Sequence, residues 1–490
     1  MKNLNKYLLS ISITYLLTPS TIMAADIFKA DKHYTNAEYT LAKRGYLEAT
    51  KIGNPHAFYQ LGIMYQKGLG VEKDPLSALI YISMAADYGL QNAKTALTNM
   101  LSTLDDEQRK TIEKVLNNSS NSNKKEIIKQ TYFPIIKKET IDSKITFEGQ
   151  DHLDTQYFAD DYEEAFEENG EGQFTDEFGG DESDDFYAPM STPKKPYLIV
   201  DHDVAADGSK RNIMDVQKVG SSQSLINEYS LFPTLKPSFQ SQPVEFVHRV
   251  SMGAAVYNKF TLIEKDEALY SSIYRRYKKL KNGKSLNDQY LFAMTLQNFP
   301  WLEQEQGEVT KRLLSLAKQG HPGAMFEYGY LLLREQTNIP DAIKWIGVAS
   351  TYGLARAEYR LGKLLTTSPW VEYDEKKALF WFESAVEKDH MAAALKAAEL
   401  KLTAKDNSLH DVNGAINLLT KIEAEQRTNP EFYYLLALSH KNREKRDFTQ
   451  VVSNLEKAIF MGSNANWDVT EWQDLLTRLT QGSVYIVEDN

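Results

Sequence analysis

The sequence predicts a mainly α-helical solenoid of stacked helical hairpins, interrupted by a small α+β domain and a disordered acidic linker. Three observations predict it. A small-residue junction recurs as Gly53-x-x-x-Ala57, Gly89-x-x-x-Ala93, Gly320-x-x-x-Ala324, Gly353-x-x-x-Ala357 and Asp389-x-x-x-Ala393, at steps of 36 in the first pair and of 33 and 36 in the last three. A period in this range is the mark of stacked helix pairs. Between Lys144 and Lys194 no Lys or Arg occurs while Asp and Glu crowd together, and beyond Pro193 the apolar period changes from helical to extended. The expected order is a signal peptide (1–24), first repeats (25–117), linker (118–192), α+β domain (193–260), second repeats (261–482) and a tail (483–490).

The first residues read as a targeting segment. Lys2 and Lys6 precede an apolar run from Tyr7 to Leu17, Pro19 breaks it, and Ala24 and Ala25 follow, the order of a secretory signal peptide. The run is shorter than the roughly 20 apolar residues that a membrane span needs. Cleavage after Ala24 or Ala25 gives a periplasmic protein with no integral span; retention gives an inner-membrane anchor facing the periplasm. With no cysteine in the chain, lipid attachment through a thiol, disulfides and thiolate chemistry are all excluded. A net charge of −11 argues against nucleic acid or an anionic membrane surface as the main partner.

In the first repeats, Ala57-x-x-x-Leu61-Gly62-x-x-Tyr65-x-x-Gly68-x-Gly70-Val71 is followed by Asp74-Pro75, an N-cap and first helical residue, and then by Ala78, Tyr81, Ala85, Ala86 and Gly89. This unit resembles the Sel1-like repeats, a branch of the tetratricopeptide superfamily. The resemblance implies an α-solenoid that binds proteins. Ala342/Trp345/Ala349 and Ala378/Trp381/Ala385 repeat the offsets of Ala78/Tyr81/Ala85. About two and a half hairpins are too few for comfort alone, so the first repeats are expected to pack on the rest of the chain.

The linker opens with the polar run Asn117 to Asn123, and its acids are interleaved with Tyr157, Phe158, Tyr162, Phe166, Phe174, Phe178, Phe186 and Tyr187. Such like charge opposes a packed core. The rings leave two readings: a charged spacer, or a segment that folds onto a basic or groove-shaped surface of a partner or of this chain.

After Pro193 a strand through Val204, the turn pair Asp207-Gly208, a return strand from Ile213 to Val219, a short helix from Ser224 and a third extended run from Pro243 to Val256 are expected. Val204-Ala205-Ala206-Asp207-Gly208, Val216-x-x-Val219-x-Ser221-Ser222, Phe239 and the closing strand to Val250 resemble the C-terminal domain of TonB-type energy transducers. That resemblance implies a small sheet with an open edge able to pair an extended peptide. A sheet that merely packs on the helices is the other reading.

From Phe260 the chain turns helical again, with a lead-in hairpin and repeats based at Gly320, Gly353, Asp389, Asn429 and Gly462. The run Tyr274-Arg275-Arg276-Tyr277-Lys278-Lys279-Leu280-Lys281 reads as a solvated helix face. The surface expected to work is the concave side lined by first helices, with Tyr328, Tyr359 and Tyr433 as its rings. No catalytic motif or cofactor loop is present. Asp201-His202-Asp203 with His248 is a poor metal set, because alternation turns His202 away from the two aspartates. Asp181 to Asp185 lacks the glycine a calcium loop needs, and the histidines at the junctions read as surface or turn residues. The composite expectation is a non-enzymatic periplasmic scaffold for envelope proteins or peptides, tied to outer-membrane transport, with no cofactor or metal. An energy transducer with an uncleaved anchor is the alternative, and an enzyme would need a convergent polar pocket.

Overall fold

The computed structural model describes residues 26–107, 109–110, 114, 119–148, 196–231 and 235–481. In chain order it contains helices α1 (Ile27–Thr35), α2 (Tyr39–Lys51), α3 (Pro55–Lys67), α4 (Pro75–Asp87), α5 (Gln91–Ser102) and α6 (Ser119–Tyr132). Strands β1 (Thr146–Glu148), β2 (Tyr197–Val204) and β3 (Lys210–Val219), helix α7 (Gln223–Leu231), and strands β4 (Lys236–Phe239), β5 (Gln242–Pro243) and β6 (Phe246–Gly253) follow. The second array comprises α8 (Lys259–Lys265), α9 (Glu267–Lys281), α10 (Leu286–Asn298), α11 (Glu308–Gln319), α12 (Pro322–Arg334), α13 (Ile339–Ser350) and α14 (Ala355–Thr367). It ends with α15 (Glu375–Val386), α16 (Met391–Thr403), α17 (Val412–Ile422), α18 (Pro430–Asn442), α19 (Phe448–Asn464) and α20 (Thr470–Thr480). No described helix is long and apolar enough to cross a membrane.

The hairpins form for the reasons the repeat pattern gives. Asn54 accepts a hydrogen bond from Ala57 N, Pro55 starts α3, and Asp74 caps α4 through Leu76 N and Ser77 N. Gly68 ends α3 in the left-handed region at φ 75°. Within a hairpin the helices touch closely enough that a Cβ on Gly362 would lie 2.5 Å from the Phe382 ring. The small residues Ala78, Ala85, Ala342, Ala349, Ala378 and Ala385 are all fully buried, and Trp345 and Trp381 fill the space beside them.

The first repeats dock on the second. Asn54 Nδ2 donates to Thr351 O at 2.8 Å, the His56 and Tyr352 rings stand 6.1 Å apart, and Leu90 packs on Gly320. Junction meets junction with opposite chain sense, 53 near 353 and 89 near 320. One continuous hydrophobic core therefore runs from Ile27 to Trp472.

The linker boundary needs correction, because residues 119–148 are ordered. Lys125 Nζ donates to Asp87 O at 2.8 Å, and Trp381 Nε1 donates to Tyr132 O at 2.7 Å. Farther on, Lys137 N donates to Trp370 O, Glu372 N to Ile135 O, and Trp370 Nε1 to Ser143 O. Gln336 brackets Ile145 by bonding both its N–H and its C=O. The extended strap thus has backbone groups paired by the array, where the polar run from Asn117 had suggested the start of a linker. The acidic part of the linker and the signal segment lie outside the described residues.

Two antiparallel three-stranded sheets follow, in the orders β3-β2-β6 and β1-β4-β5. The first has the expected sequence of strand, hairpin, strand, helix, strand, with Gly208 at φ 85° in the turn. The short hairpin of β4 and β5, turned by Gln240 and Ser241 at φ 50° and 63°, was not expected, since neither residue is a usual left-handed turn former.

Candidate functional site: the concave groove and the sheet inside it

First helices α12, α14 and α16 each place one charged side chain at an equivalent position, Glu327, Arg360 and Lys396, again at steps of 33 and 36. Strand β2 lies across them. Every residue from Tyr197 to Val204 is buried, so both faces of the sheet are covered. The pleat sends Tyr197, Ile199, Asp201 and Asp203 toward the array and Leu198, Val200 and His202 the other way. Leu198, Val200, Val250 and Met252 pack there with Leu225 and Tyr229 of α7.

The array-facing side is ionic. Arg249 Nε and Nη2 grip the Asp201 carboxylate at 2.6 and 2.8 Å, and Arg356 Nη2 adds a third bond at 2.8 Å. Arg249 Nη1 also reaches Glu327 at 3.0 Å. Asp203 receives Arg360 Nη1 at 2.6 Å, Asn212 Nδ2 at 3.1 Å and the Tyr359 hydroxyl. Lys363 bonds Glu245 at 2.5 Å, and Lys396 bonds Glu431 at 2.5 Å. Burial alone would raise the Asp201 carboxyl, but Arg249 and then Arg356 hold it far below the ordinary carboxylate range. Burial likewise works against Asp203, and Arg360 and Lys363 outweigh it. These carboxylates stay ionised and engaged. At Glu358 the balance reverses: burial outweighs Lys388, and its pKa is pushed up to about 7.

Such an arrangement can hold a sheet in register, and it leaves little for chemistry. A cleft at the rim is lined by Glu245, Phe246, Lys363, Thr367 and Trp370, but its charges already pair with one another. Among the described residues no group of three or more His, Asp or Glu side chains could hold a metal. His202 does face away from Asp201 and Asp203, its ring 5.3 Å from that of His248.

The expected binding rings are placed differently from a free groove. Tyr359 is fully buried, bonded to Asp203 and stacked 4.7 Å from His390. Tyr328 is buried edge-on against Trp345, and Tyr433 is buried with its hydroxyl on Arg427 O and Lys457 over its ring. None of the three lines an open surface: Tyr359 is covered by the chain's own sheet, and Tyr328 and Tyr433 pack within their own repeats. Tyr157, Phe158, Tyr162, Phe166, Phe174 and Phe178 lie outside the described residues.

Two junction histidines also need correction. His321 and His390 are buried N-caps whose Nδ1 atoms accept from Ala324 N and Ala393 N, and each stacks on a first-helix tyrosine, Tyr290 or Tyr359. Burial keeps both neutral, His321 down to about 4; for His390 Arg356 adds to burial and the value falls to about 3. The signal for the missed ionic set was present in the sequence: cations Arg356, Arg360 and Lys363 recur at helical spacing on a first helix, and Asp201 and Asp203 alternate on a strand.

The Sel1 repeat family matches residues 55–89 and 355–390. Among solved structures the chain is similar to a Sel1 repeat protein from Oxalobacter formigenes, at 20% identity over 46% of this chain and 91% of that one, with a TM-score of 0.33. It is also similar to c5321, a protective antigen of uropathogenic Escherichia coli strains displaying an SLR fold, at 11% identity, 95% and 88% coverage and a TM-score of 0.27. Yeast Tom70 follows at 12% identity, 93% and 94% coverage and a TM-score of 0.25. No curated protein sequence matches the chain. The two matched stretches are the hairpins α3–α4 and α14–α15, which are Sel1-like repeat units.

Proposed function

We propose that the protein is a non-enzymatic scaffold of the bacterial cell envelope, exported to the periplasm, whose helical array holds a small sheet so that its outer strands meet an extended partner segment. One observation carries this reading. Among the described residues β3 and β6 each pair on one side only, while both faces of the sheet are covered by helices. Unpaired strand edges recruit extended peptides through backbone hydrogen bonds. The strand order β3-β2-β6 with α7 between β3 and β6 supports the likeness to TonB-type C-terminal domains, and with it a link to outer-membrane transport. The charged residues of the groove support a structural role, since each carboxylate there is held by cations.

The test uses the full chain in its own cells. A photo-crosslinking residue replaces Ser251 on β6 or Lys218 on β3, with Lys421 on the far repeats as control. Adducts with an envelope protein from an edge position, and none from the control, are expected; equal labelling from all three positions overturns the reading. N-terminal sequencing of the same material is expected to start at Ala25 or Asp26. An intact Met1 would favour a membrane-anchored energy transducer instead.

A further inference from the structure

We propose that Arg334, at the C-terminal end of α12, seats an aspartate or glutamate side chain of the extended partner segment that pairs along β6. This seat rests on the strand-pairing reading given above and adds what the segment must carry.

Of the two outer strands, β6 is the one suited to a partner. It pairs with β2 in unbroken register from Phe246 to Gly253, whereas β3 shifts register against β2 twice and holds Asn212 at φ 53°. Breaks of that kind turn an edge away from further pairing. The turn before β3 is also engaged: Asp207 accepts from Asp468 N at 2.7 Å, and Arg211 lies 4.1 Å from the centre of the Trp467 ring. Along β6, His248 is exposed and Arg249 and Ser251 are half-buried.

The first helices meet the strands in a fixed order. Along α14, Tyr359 bonds Asn212 of β3, Arg360 bonds Asp203 of β2, and Lys363 bonds Glu245 just before β6. On α12 the positions 33 residues earlier than Arg360 and Lys363 are Glu327 and Tyr330. Both meet Arg249 of β6, whose guanidinium is 3.0 Å from Glu327 and 5.4 Å from the centre of the Tyr330 ring. Arg334 stands a further turn on, about 6 Å along the helix. That is the side on which a strand added to β6 would lie, about 4.8 Å out.

Charge names what that strand should bring. Four cations of the groove are matched by four carboxylates: Arg249 and Arg356 share Asp201 and Glu327, Arg360 holds Asp203, and Lys363 holds Glu245. Arg334 is a fifth cation, and it makes no hydrogen bond or ion pair with a described residue. Its guanidinium lies 5.3 Å from the centre of the Tyr330 ring, its Nε is buried without an acceptor, and the Tyr330 hydroxyl is likewise buried without a partner. Asp201 and Glu327 do act on Arg334, but burial and then the charge of Arg249 outweigh them and lower its pKa. At Arg249 and Arg360 burial is overcome by bonded carboxylates, and both are raised instead. A half-buried guanidinium left short in this way gains from a carboxylate that it can grip directly.

Two synthetic peptides of threonine and valine, as long as the eight residues of β6, test this against the purified protein by fluorescence anisotropy. One carries a central glutamate and the other glutamine there. The glutamate peptide is expected to bind about tenfold more tightly, as a charge-assisted hydrogen bond allows. Arg334→Gln should abolish that preference, Arg334→Lys should keep part of it, and Lys421→Gln should leave it intact. Arg334→Gln should also hold or raise the melting temperature, since it removes a charge that Arg249 repels; a fall would mark Arg334 as structural and overturn the seat. Equal binding of the two peptides, or a preference that survives Arg334→Gln, overturns the seat and leaves strand pairing standing. A glutamate peptide methylated at every backbone nitrogen has no N–H to donate to β6. If it binds as tightly as the unmethylated one, or if neither original peptide binds, the strand-pairing reading falls and the seat with it.

Discussion

The two faces of β2 are held by opposite means. Toward α7, Leu198 and Val200 are packed among Leu225, Tyr229, Val250 and Met252, and the contact is apolar and tolerant of sliding. Toward the array, Asp201 and Asp203 are fixed by guanidinium groups one turn apart on the first helix α14, Arg356 and Arg360, with Arg249 of β6 also on Asp201. An apolar face gains free energy wherever it lands, about 25 cal/mol for each Å² removed from water. A buried carboxylate is tolerated only where its cation stands. The difference teaches that the groove selects one register of the sheet by penalty, and that the apolar face supplies most of the net attraction.

The comparison breaks most sharply at Arg360. Removing it by Arg360→Ala leaves Asp203 buried with Tyr359 and Asn212 but no adjacent guanidinium, and a loss of about 3–5 kcal/mol is expected from chemical denaturation. The double variant Asp203→Asn with Arg360→Met should recover most of that loss, because an uncharged pair owes no ionic desolvation. If the double variant is as unstable as the single one, the ionic face carries net attraction and the comparison fails. On the other face Leu198→Ala should cost roughly 3 kcal/mol through lost burial and a residual cavity, with no partner substitution able to rescue it.

Acid sharpens the same contrast. Burial first, with His248 and Lys210 adding, lowers the His202 pKa from 6.5 to about 3. A base depressed in the folded state stabilises fully above its unfolded value and loses that contribution as pH falls toward the folded one. Between pH 6.5 and 3, His202 should therefore cost up to about 1.4 kcal/mol per pH unit, and His202→Phe should flatten that slope in melting curves. Asp201 and Asp203, depressed below 3.8, add their loss only below about pH 4. Glu358 runs the other way: raised from 4.5 to about 7, it favours the fold below 4.5 and loses that contribution as pH rises through 7. Glu358→Gln should remove that opposing slope.

The repeats were legible because their signal is local. Gly53, Gly89, Gly320 and Gly353 each need a left-handed backbone and recur at one period, and Ala378, Trp381 and Ala385 declare a close helix contact within eight residues. The strands from 197 to 253 were legible for the same reason. What the groove contains was not, since Asp203 and Arg360 stand 157 residues apart and no periodicity links them. Tyr359 looked like a binding ring because first-helix rings often are one; only the placement of β2 turns it inward. His390 looked like a turn residue because capping depends on Nδ1 reaching Ala393 N, which a one-dimensional pattern leaves open. The strap from Phe133 to Ile145 was read with the linker because it pairs with residues more than 190 positions away.

The smallest effect belongs to an ion pair that resembles the groove pairs in length alone. Lys421 Nζ lies 2.8 Å from Asp389 Oδ1, as close as Arg356 lies to Asp201. Its partners are 51% and 80% exposed, whereas the side chains of Arg356 and Asp201 are 18% and 2% exposed. Water already satisfies both exposed groups, so pairing them gains little and losing either strands nothing. Lys421→Ala should change stability by no more than about 0.5 kcal/mol and lose even that in 1 M salt, while Arg356→Ala keeps its larger cost at the same salt. Distance is common to both pairs, so a loss at Lys421 equal to that at Arg356 would mean that contact, and not burial, sets the penalty that registers β2 in the groove.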